Sequence, residues 1–154
     1  MSVRFLLFPL VLIVGCADPK ETLQAVIDDA AEEAIAAAYT EQAEAIEAAG
    51  GQLILMASRA FTAIKAAPDI YHRVYRQLID GAQDPVILHW LGDMFDPALA
   101  GYWGSSDVAA ASDFVLELIA ENPAKVDGIK ISLLDQTHEE AFRARLPAGV
   151  RLYT

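Results

Sequence analysis

The chain has 154 residues, enough for one domain of ordinary size, and its 55% hydrophobic content excludes a disordered segment. Its formal net charge of −11 argues against non-specific binding to nucleic acid or to anionic lipid. Because Cys16 is the single cysteine, an internal disulfide and a cysteine-rich zinc site are also excluded.

Residues 1–16 have two interpretations. An apolar run over residues 5–14 leads into the sequence IVGC at residues 13–16, which resembles the lipobox of a bacterial lipoprotein signal. Alternatively, residues 10–15 form a buried parallel strand, since such strands are continuous apolar runs. The alternation of strand and helix patterns after residue 16 favours the strand. We therefore expect a cytoplasmic protein, with a membrane-anchored lipoprotein as the alternative if Cys16 is lipidated.

The rest of the chain alternates between strand and helix patterns. Strands are predicted over residues 52–58, 84–90, 126–132 and 148–154, and helices over residues 20–51, 68–80, 107–122 and 137–146. Strands that alternate with helices imply a parallel sheet with right-handed crossovers. With the first strand, the sequence predicts one α/β domain over residues 1–154, with about five strands and four helical segments.

Some side chains of the predicted helices can be assigned to a face. In the helix over residues 107–122, apolar residues at helical spacing are predicted to point inward. They are Val108, Ala111, Val115, Leu118 and Ile119. His72 and His138 lie on other predicted helices, and we expect both at the surface.

A lysine lies in the middle of the predicted strand over residues 126–132. Gly128, Lys130 and Ser132 share one face, whereas the alternate positions from Ile129 onward are apolar and share the other. A buried lysine is costly unless it is paired or neutral, and such lysines serve as bases or Schiff-base nucleophiles. Alternatively, Lys130 lies at a strand end and its ammonium group reaches solvent or a carboxylate.

Polar and aromatic residues collect at the carboxyl ends of the predicted strands, where ligands bind in α/β sheets and barrels. The candidates there are Ser58, Arg59, His89, Trp90, Lys130, Ser132, Tyr153 and Thr154. No glycine-rich phosphate loop is present, and we expect no cofactor.

The connection over residues 90–106 is far longer than a typical βα loop, which makes it a candidate lid. It carries Asp93 and Asp96. Their carboxylates have three interpretations: they cap a helix, bind a metal ion or contact a substrate. One histidine and two aspartates are weak evidence for a metal, so we expect none. Alternatively, Asp96 caps a short helix over residues 97–100, and Tyr102 and Trp103 pack it.

The stretches ILMASRAF, VILHWLGDMFDPALAGYWGS, KVDGIKISLLD and GVRLYT resemble the dihydrodipicolinate synthase-like lyases, the pyruvate-type class I aldolases. More narrowly, they are similar to an uncharacterised bacterial branch of that family. The resemblance begins at about residue 13 and is strongest over residues 51–154. It implies a (β/α)₈ TIM barrel, of which this chain would carry about half.

The resemblance also implies roles for individual residues. The sequence Gly-Ile-Lys places Lys130 at the position of the family's Schiff-base lysine, with Gly128 and Ser132 leaving room for a carbonyl substrate. His89 stands where the family has a proton-relaying tyrosine, and a histidine can also relay protons. The family's carboxylate-binding arginine is missing near Met94.

The sequence therefore predicts a Schiff-base-forming lyase or aldolase that acts on a 2-oxo acid or a similar carbonyl compound, with Lys130 and His89 as catalytic residues. The predicted substrate contacts are Ser58, Arg59, Trp90, Asp93, Asp96 and Ser132. The alternative is a non-catalytic truncated barrel or an anchored lipoprotein with a binding or vestigial role. We expect a homo-oligomer, because exposed apolar edges on a partial barrel favour self-association.

Overall fold

A computed structural model describes the backbone of residues 19–154 and the side chains from residue 26 onward. The strand predicted over residues 10–15 and the lipobox-like segment with Cys16 lie outside these residues. The domain boundaries proposed for the amino terminus therefore stay a prediction.

Helices and strands alternate along the described chain. The helices are α1 (Pro19–Ala48), α2 (Arg59–Ala63), α3 (Pro68–Gly81), α4 (Val108–Glu121) and α5 (Gln136–Arg143), and the strands are β1 (Ile54–Leu55), β2 (Val86–Leu91), β3 (Val126–Ser132) and β4 (Arg151–Tyr153). The four longer helices and the four strands lie where the sequence predicts them. The short helix α2 was not predicted; it begins because the Ser58 side chain accepts a hydrogen bond from the Ala60 amide.

The four strands form one parallel sheet in the order β1-β2-β3-β4. Each strand pairs with the strand that follows it in the chain, and each connection contains at least one helix. The prediction of a mixed α/β fold with a parallel sheet is thus confirmed.

The two faces of the sheet differ in their environment. Leu88, Trp90, Ile129 and Ile131 are buried on one side, which we call the helix face because Trp90 contacts Phe142 of α5 there. The opposite side, which we call the open face, carries Ile54, Met56, His89, Lys130, Ser132 and Tyr153. Ile54, Met56 and Lys130 are exposed there. No described helix covers the open face.

An aromatic cluster joins α2, α3 and the long loop after β2. The rings of Phe61 and Tyr71 stack with centroids 4.4 Å apart, and Tyr75 and Trp103 lie 4.7 Å apart. The hydroxyls of Tyr75 and Tyr102 are hydrogen-bonded at 2.8 Å. Tyr102 and Trp103 are almost fully buried, so the prediction that they pack the loop is confirmed. Asp96 also caps the short helix Pro97–Leu99, as predicted.

Two predictions about helix faces are wrong. Val108 is 44% exposed, because it is the first residue of α4 and the buried stripe of that helix begins at Ala111 and Ser112. His138 is half-buried instead of exposed. Its Nε2 lies 2.7 Å from the Ser112 hydroxyl, and its ring packs against Trp90.

Within residues 19–154, none of the helices combines the length and the apolar character that crossing a bilayer requires.

Phe61→Ala should lower the free energy of unfolding by about 3–5 kcal/mol, since the ring is fully buried among tyrosines and its loss leaves a cavity. Urea unfolding followed by circular dichroism measures this change. Phe95→Ala is the matched control, because Phe95 is 55% exposed and its truncation should cost less than about 1 kcal/mol. Equal losses in the two variants would contradict the central role of the aromatic cluster.

Candidate functional site

Three residues form a row across the open face near the carboxyl ends of the strands. His89 of β2 is the register partner of Lys130 of β3, which is in turn the partner of Tyr153 of β4. Neighbouring strands lie about 4.8 Å apart, and residues in register point to the same face. The structure therefore brings the two predicted catalytic residues, His89 and Lys130, side by side.

The structure distinguishes the two interpretations of Lys130. Its side chain is exposed, so the described chain agrees with an ammonium group that reaches solvent and not with a buried lysine. The reason is that no element among residues 26–154 covers the open face. The amine also makes no hydrogen bond or ion pair within those residues, which leaves it available to a ligand.

His89 is the enclosed member of the row, with only 8% of its surface exposed. Its Nδ1 lies 2.9 Å from the Met56 sulfur, and its Nε2 lies 3.2 Å from the Ser132 hydroxyl. Burial lowers the pKa of His89 below its ordinary value, and the nearby positive charge of Lys130 lowers it further. A neutral imidazole that can accept a proton near pH 7 is the result.

Tyr153 occupies the space beside Gly128 that the sequence assigned to a substrate. A Cβ on Gly128 would lie 2.6 Å from the Tyr153 ring and 2.6 Å from the Arg151 carbonyl oxygen. Asp127 holds this arrangement: its carboxylate accepts hydrogen bonds from the Tyr153 hydroxyl at 2.5 Å and from Arg151 at 2.6 Å. Gly128 therefore makes room for a side chain of β4, not for a ligand.

A hollow of about 350 Å³ lies next to Lys130. It is lined by Phe95, Lys130, Ile131, Ser132, Leu134, Gln136, Glu139 and Thr154. Of these, Ser132 is a predicted substrate contact, and the hollow has space for a small molecule beside the amine. Lys130 therefore borders a hollow that residues of α5 also line.

Two of the predicted substrate contacts, Arg59 after β1 and Asp96 after β2, bind each other. Arg59 and Asp96 form an ion pair at 2.7 Å, and Asp96 also accepts a hydrogen bond from the Ala98 amide. The hydrogen bond that Arg59 donates to Asp96 lowers the pKa of the Asp96 carboxyl and raises the pKa of Arg59. Ser58 caps α2. These three residues connect the ends of β1 and β2, and each already has a partner.

Trp90 and Asp93 do not join the row. Trp90 lies on the helix face and is only 4% exposed, with its ring near Trp103, His138 and Phe142. The alternation of a strand explains this position, because a residue adjacent to His89 must point to the opposite face. Asp93 is exposed on the loop that follows β2.

Sequence reasoning missed Met56 and Asp127 as members of the site. Met56 follows a strand of only two residues, and Asp127 lies next to an irregularity in the β2–β3 register. The alternation of side chains along a regular strand does not predict that either residue belongs to the site. Their contacts depend on residues far away in the chain.

Within residues 26–154, no group of three or more histidine, cysteine, aspartate or glutamate side chains is placed to hold a metal ion.

Comparison with known proteins gave one family match. The family described as "Protein of unknown function (DUF993)" matches residues 12–154. Comparison with the curated proteins found no match.

Gly128→Ala should lower the free energy of unfolding by about 1–3 kcal/mol, because the added methyl group collides with Tyr153 and with the backbone of Arg151. Urea unfolding measures the loss. Gly81→Ala is the matched control: its methyl group would meet no atom within 4 Å, and alanine favours the helix, so stability should not fall. A Gly128→Ala variant as stable as the control would contradict the close packing of Tyr153.

The free energy of unfolding should decrease as the pH falls below about 6.5, the ordinary pKa of histidine. The folded state holds His89 at a lowered pKa, so the unfolded state binds the proton first, and stability is lost until the pH passes the folded pKa. His89→Asn should remove this part of the pH dependence. Urea unfolding of both proteins between about pH 7.5 and 5.5 tests it, and parallel curves would contradict the lowered pKa.

Proposed function

The chain belongs to the DUF993 family of proteins of unknown function, and we propose that it is a Schiff-base-forming lyase or aldolase. Its substrate would be a 2-oxo acid or a similar carbonyl compound, and Lys130 would be the nucleophile. The observation that carries the proposal is the pairing of Lys130 with His89 on the open face, at the carboxyl ends of parallel strands. An amine that has no hydrogen-bond or ion-pair partner among residues 26–154 thus lies beside an imidazole with a lowered pKa.

The proposed chemistry begins when the ammonium group of Lys130 gives a proton to solvent water and the resulting neutral amine attacks the carbonyl carbon. A carbon–nitrogen bond forms, the carbonyl oxygen takes up a proton and the nitrogen gives one up, so the product is a carbinolamine. Loss of the hydroxyl group as water then gives the imine. His89 accepts the proton that leaves the nitrogen and returns a proton to the departing hydroxyl. The amine of Lys130 itself forms the bond to the carbonyl carbon, so these steps use no cofactor.

The arrangement of the sheet supports a finer proposal for the fold, a (β/α)₈ barrel of which this chain forms about half. In a doubly wound sheet the strand order reverses and helices cover both faces. Here the strands follow in sequential order, and the helices lie on one face. In a closed barrel the open face would be the interior, which would shield Lys130 from water. The barrel is also what the resemblance of the sequence to the dihydrodipicolinate synthase-like lyases implies.

We also propose that the protein self-associates. Large apolar side chains are exposed on or near the open face, and a partner would remove them from water. They are Ile54, Met56, Met94, Phe95 and Leu134. Analytical ultracentrifugation distinguishes an oligomer from a monomer.

Incubation with pyruvate and borohydride should add a reduced adduct to Lys130, because borohydride traps the imine as a stable secondary amine. Intact mass and peptide mapping locate the adduct. Lys130→Arg keeps the positive charge but cannot form this imine, so it should give no adduct. Lys65→Arg is the control variant and should react like the unaltered protein.

Two outcomes would contradict this function. One is the absence of an adduct on a chain that circular dichroism shows to be folded, and the other is an adduct spread equally over Lys65 and Lys130. Either would favour the non-catalytic alternative, a barrel fragment or a lipoprotein anchored through Cys16. Fractionation of a tagged chain separates those two, since we expect the protein in the cytoplasmic fraction and an anchored form with the membranes.

A further inference from the structure

We propose that Met56 is a positioning residue that holds His89 in the tautomer with its hydrogen on Nδ1. In this tautomer, Nε2 is the proton acceptor and faces Ser132. His89 and Ser132 would then form a proton relay beside Lys130. The chemical role of the relay rests on the proposed imine-forming function, whereas the tautomer itself does not.

The contacts of the two ring nitrogens determine which one carries the hydrogen. The Met56 sulfur lies 2.9 Å from Nδ1, and a thioether has no hydrogen to donate. Two lone pairs that face each other at this distance would repel, so Nδ1 must be the donor. The lowered pKa keeps the ring neutral near pH 7, so it has a single hydrogen to place.

The other ring nitrogen, Nε2, is left with a lone pair. It lies 3.2 Å from the Ser132 hydroxyl, which can both donate and accept. With Nδ1 protonated, the hydroxyl donates its hydrogen to Nε2. Ser132 lies two residues after Lys130 on the same strand, so its oxygen points to the same face as the amine.

The relay moves a proton in two coupled steps. Ser132 takes the proton that leaves the nitrogen of the carbinolamine while its own hydrogen passes to Nε2 of His89. The reverse transfer then delivers a proton to the hydroxyl group that departs as water. No net charge is gained or lost in one cycle. In the opposite tautomer, Nε2 would already hold a hydrogen and the relay could not begin.

Two tyrosines, the half-buried Tyr39 and the buried Tyr102, hold the backbone at and after Met56. The Tyr39 hydroxyl donates a hydrogen bond to the backbone oxygen of Met56. Two residues later, the Ser58 amide donates to the Tyr102 hydroxyl at 3.1 Å. The segment that follows β1 is thus attached to the aromatic cluster, although 47% of the Met56 side chain is exposed. These hydrogen bonds hold the backbone from which the Met56 sulfur reaches Nδ1 of His89.

Nitrogen-15 NMR of histidine-labelled protein at about pH 8 tests the inference, because long-range correlations distinguish protonated from unprotonated ring nitrogens. The sequence contains three histidines, and His89→Asn identifies the His89 signals. We expect the hydrogen on Nδ1 in the unaltered protein. A hydrogen on Nε2 there would overturn the inference directly, without any variant.

Three variants show whether Met56 sets the tautomer. Met56→Leu removes the acceptor, so the hydrogen should move to Nε2, where it can be donated to Ser132. Met56→Gln restores an acceptor at the end of an unbranched chain and should return the hydrogen to Nδ1. Met94→Leu is the matched control, because Met94 is 66% exposed and should leave the tautomer unchanged. An unchanged tautomer in Met56→Leu would overturn the assignment to Met56.

The rate of adduct formation on Lys130 tests the role of the relay. Proton transfer by a positioned side chain contributes about 10²–10⁴-fold to a rate, so Met56→Leu should slow the reaction by at least about tenfold and Met56→Gln should restore it. No adduct in the unaltered protein would refute the proposed function but not the tautomer. Normal rates together with a changed tautomer would refute the relay alone.

Discussion

The parallel pairing of β2 and β3 is the constraint on which the rest of the structure depends. These two strands share six register pairs, the longest pairing in the described sheet. Their buried side chains, among them Leu88 and Ile129, require a cover of helices on one face. The same pairing places His89 beside Lys130 on the other face, so the core and the candidate site follow from one register.

The polar groups of the open face differ in whether they bind one another. Asp127, Arg151 and Tyr153 bind one another and close the space beside Gly128. His89 is enclosed by its own neighbours on the opposite side of the row. Lys130, between them, keeps its amine free within the described residues, which is the arrangement expected of a group that reacts with a ligand.

Part of the long loop after β2, which the sequence predicts as a candidate lid, is buried in the core. Leu99, Tyr102 and Trp103 are drawn into the core because the aromatic cluster offers them a large apolar surface. Asp96 is then used to fasten this loop to Arg59. Leu99, Tyr102 and Trp103 of the candidate lid are therefore part of the scaffold, whereas Met94 and Phe95 are its large apolar side chains that stay exposed.

The sequence by itself determined the order of strands and helices, the parallel sheet and the face that carries Lys130, because hydrophobic period and alternation are local properties of the chain. It could not show which rings surround Trp103. Nor could it show that His89 contacts Ser132, 43 residues away, and Met56, 33 residues away. Those contacts, and the exposure of Lys130, were decided only by the tertiary structure. The physical reason is that strand register and the cover on each face are set by packing between distant segments, about which local pattern carries no information.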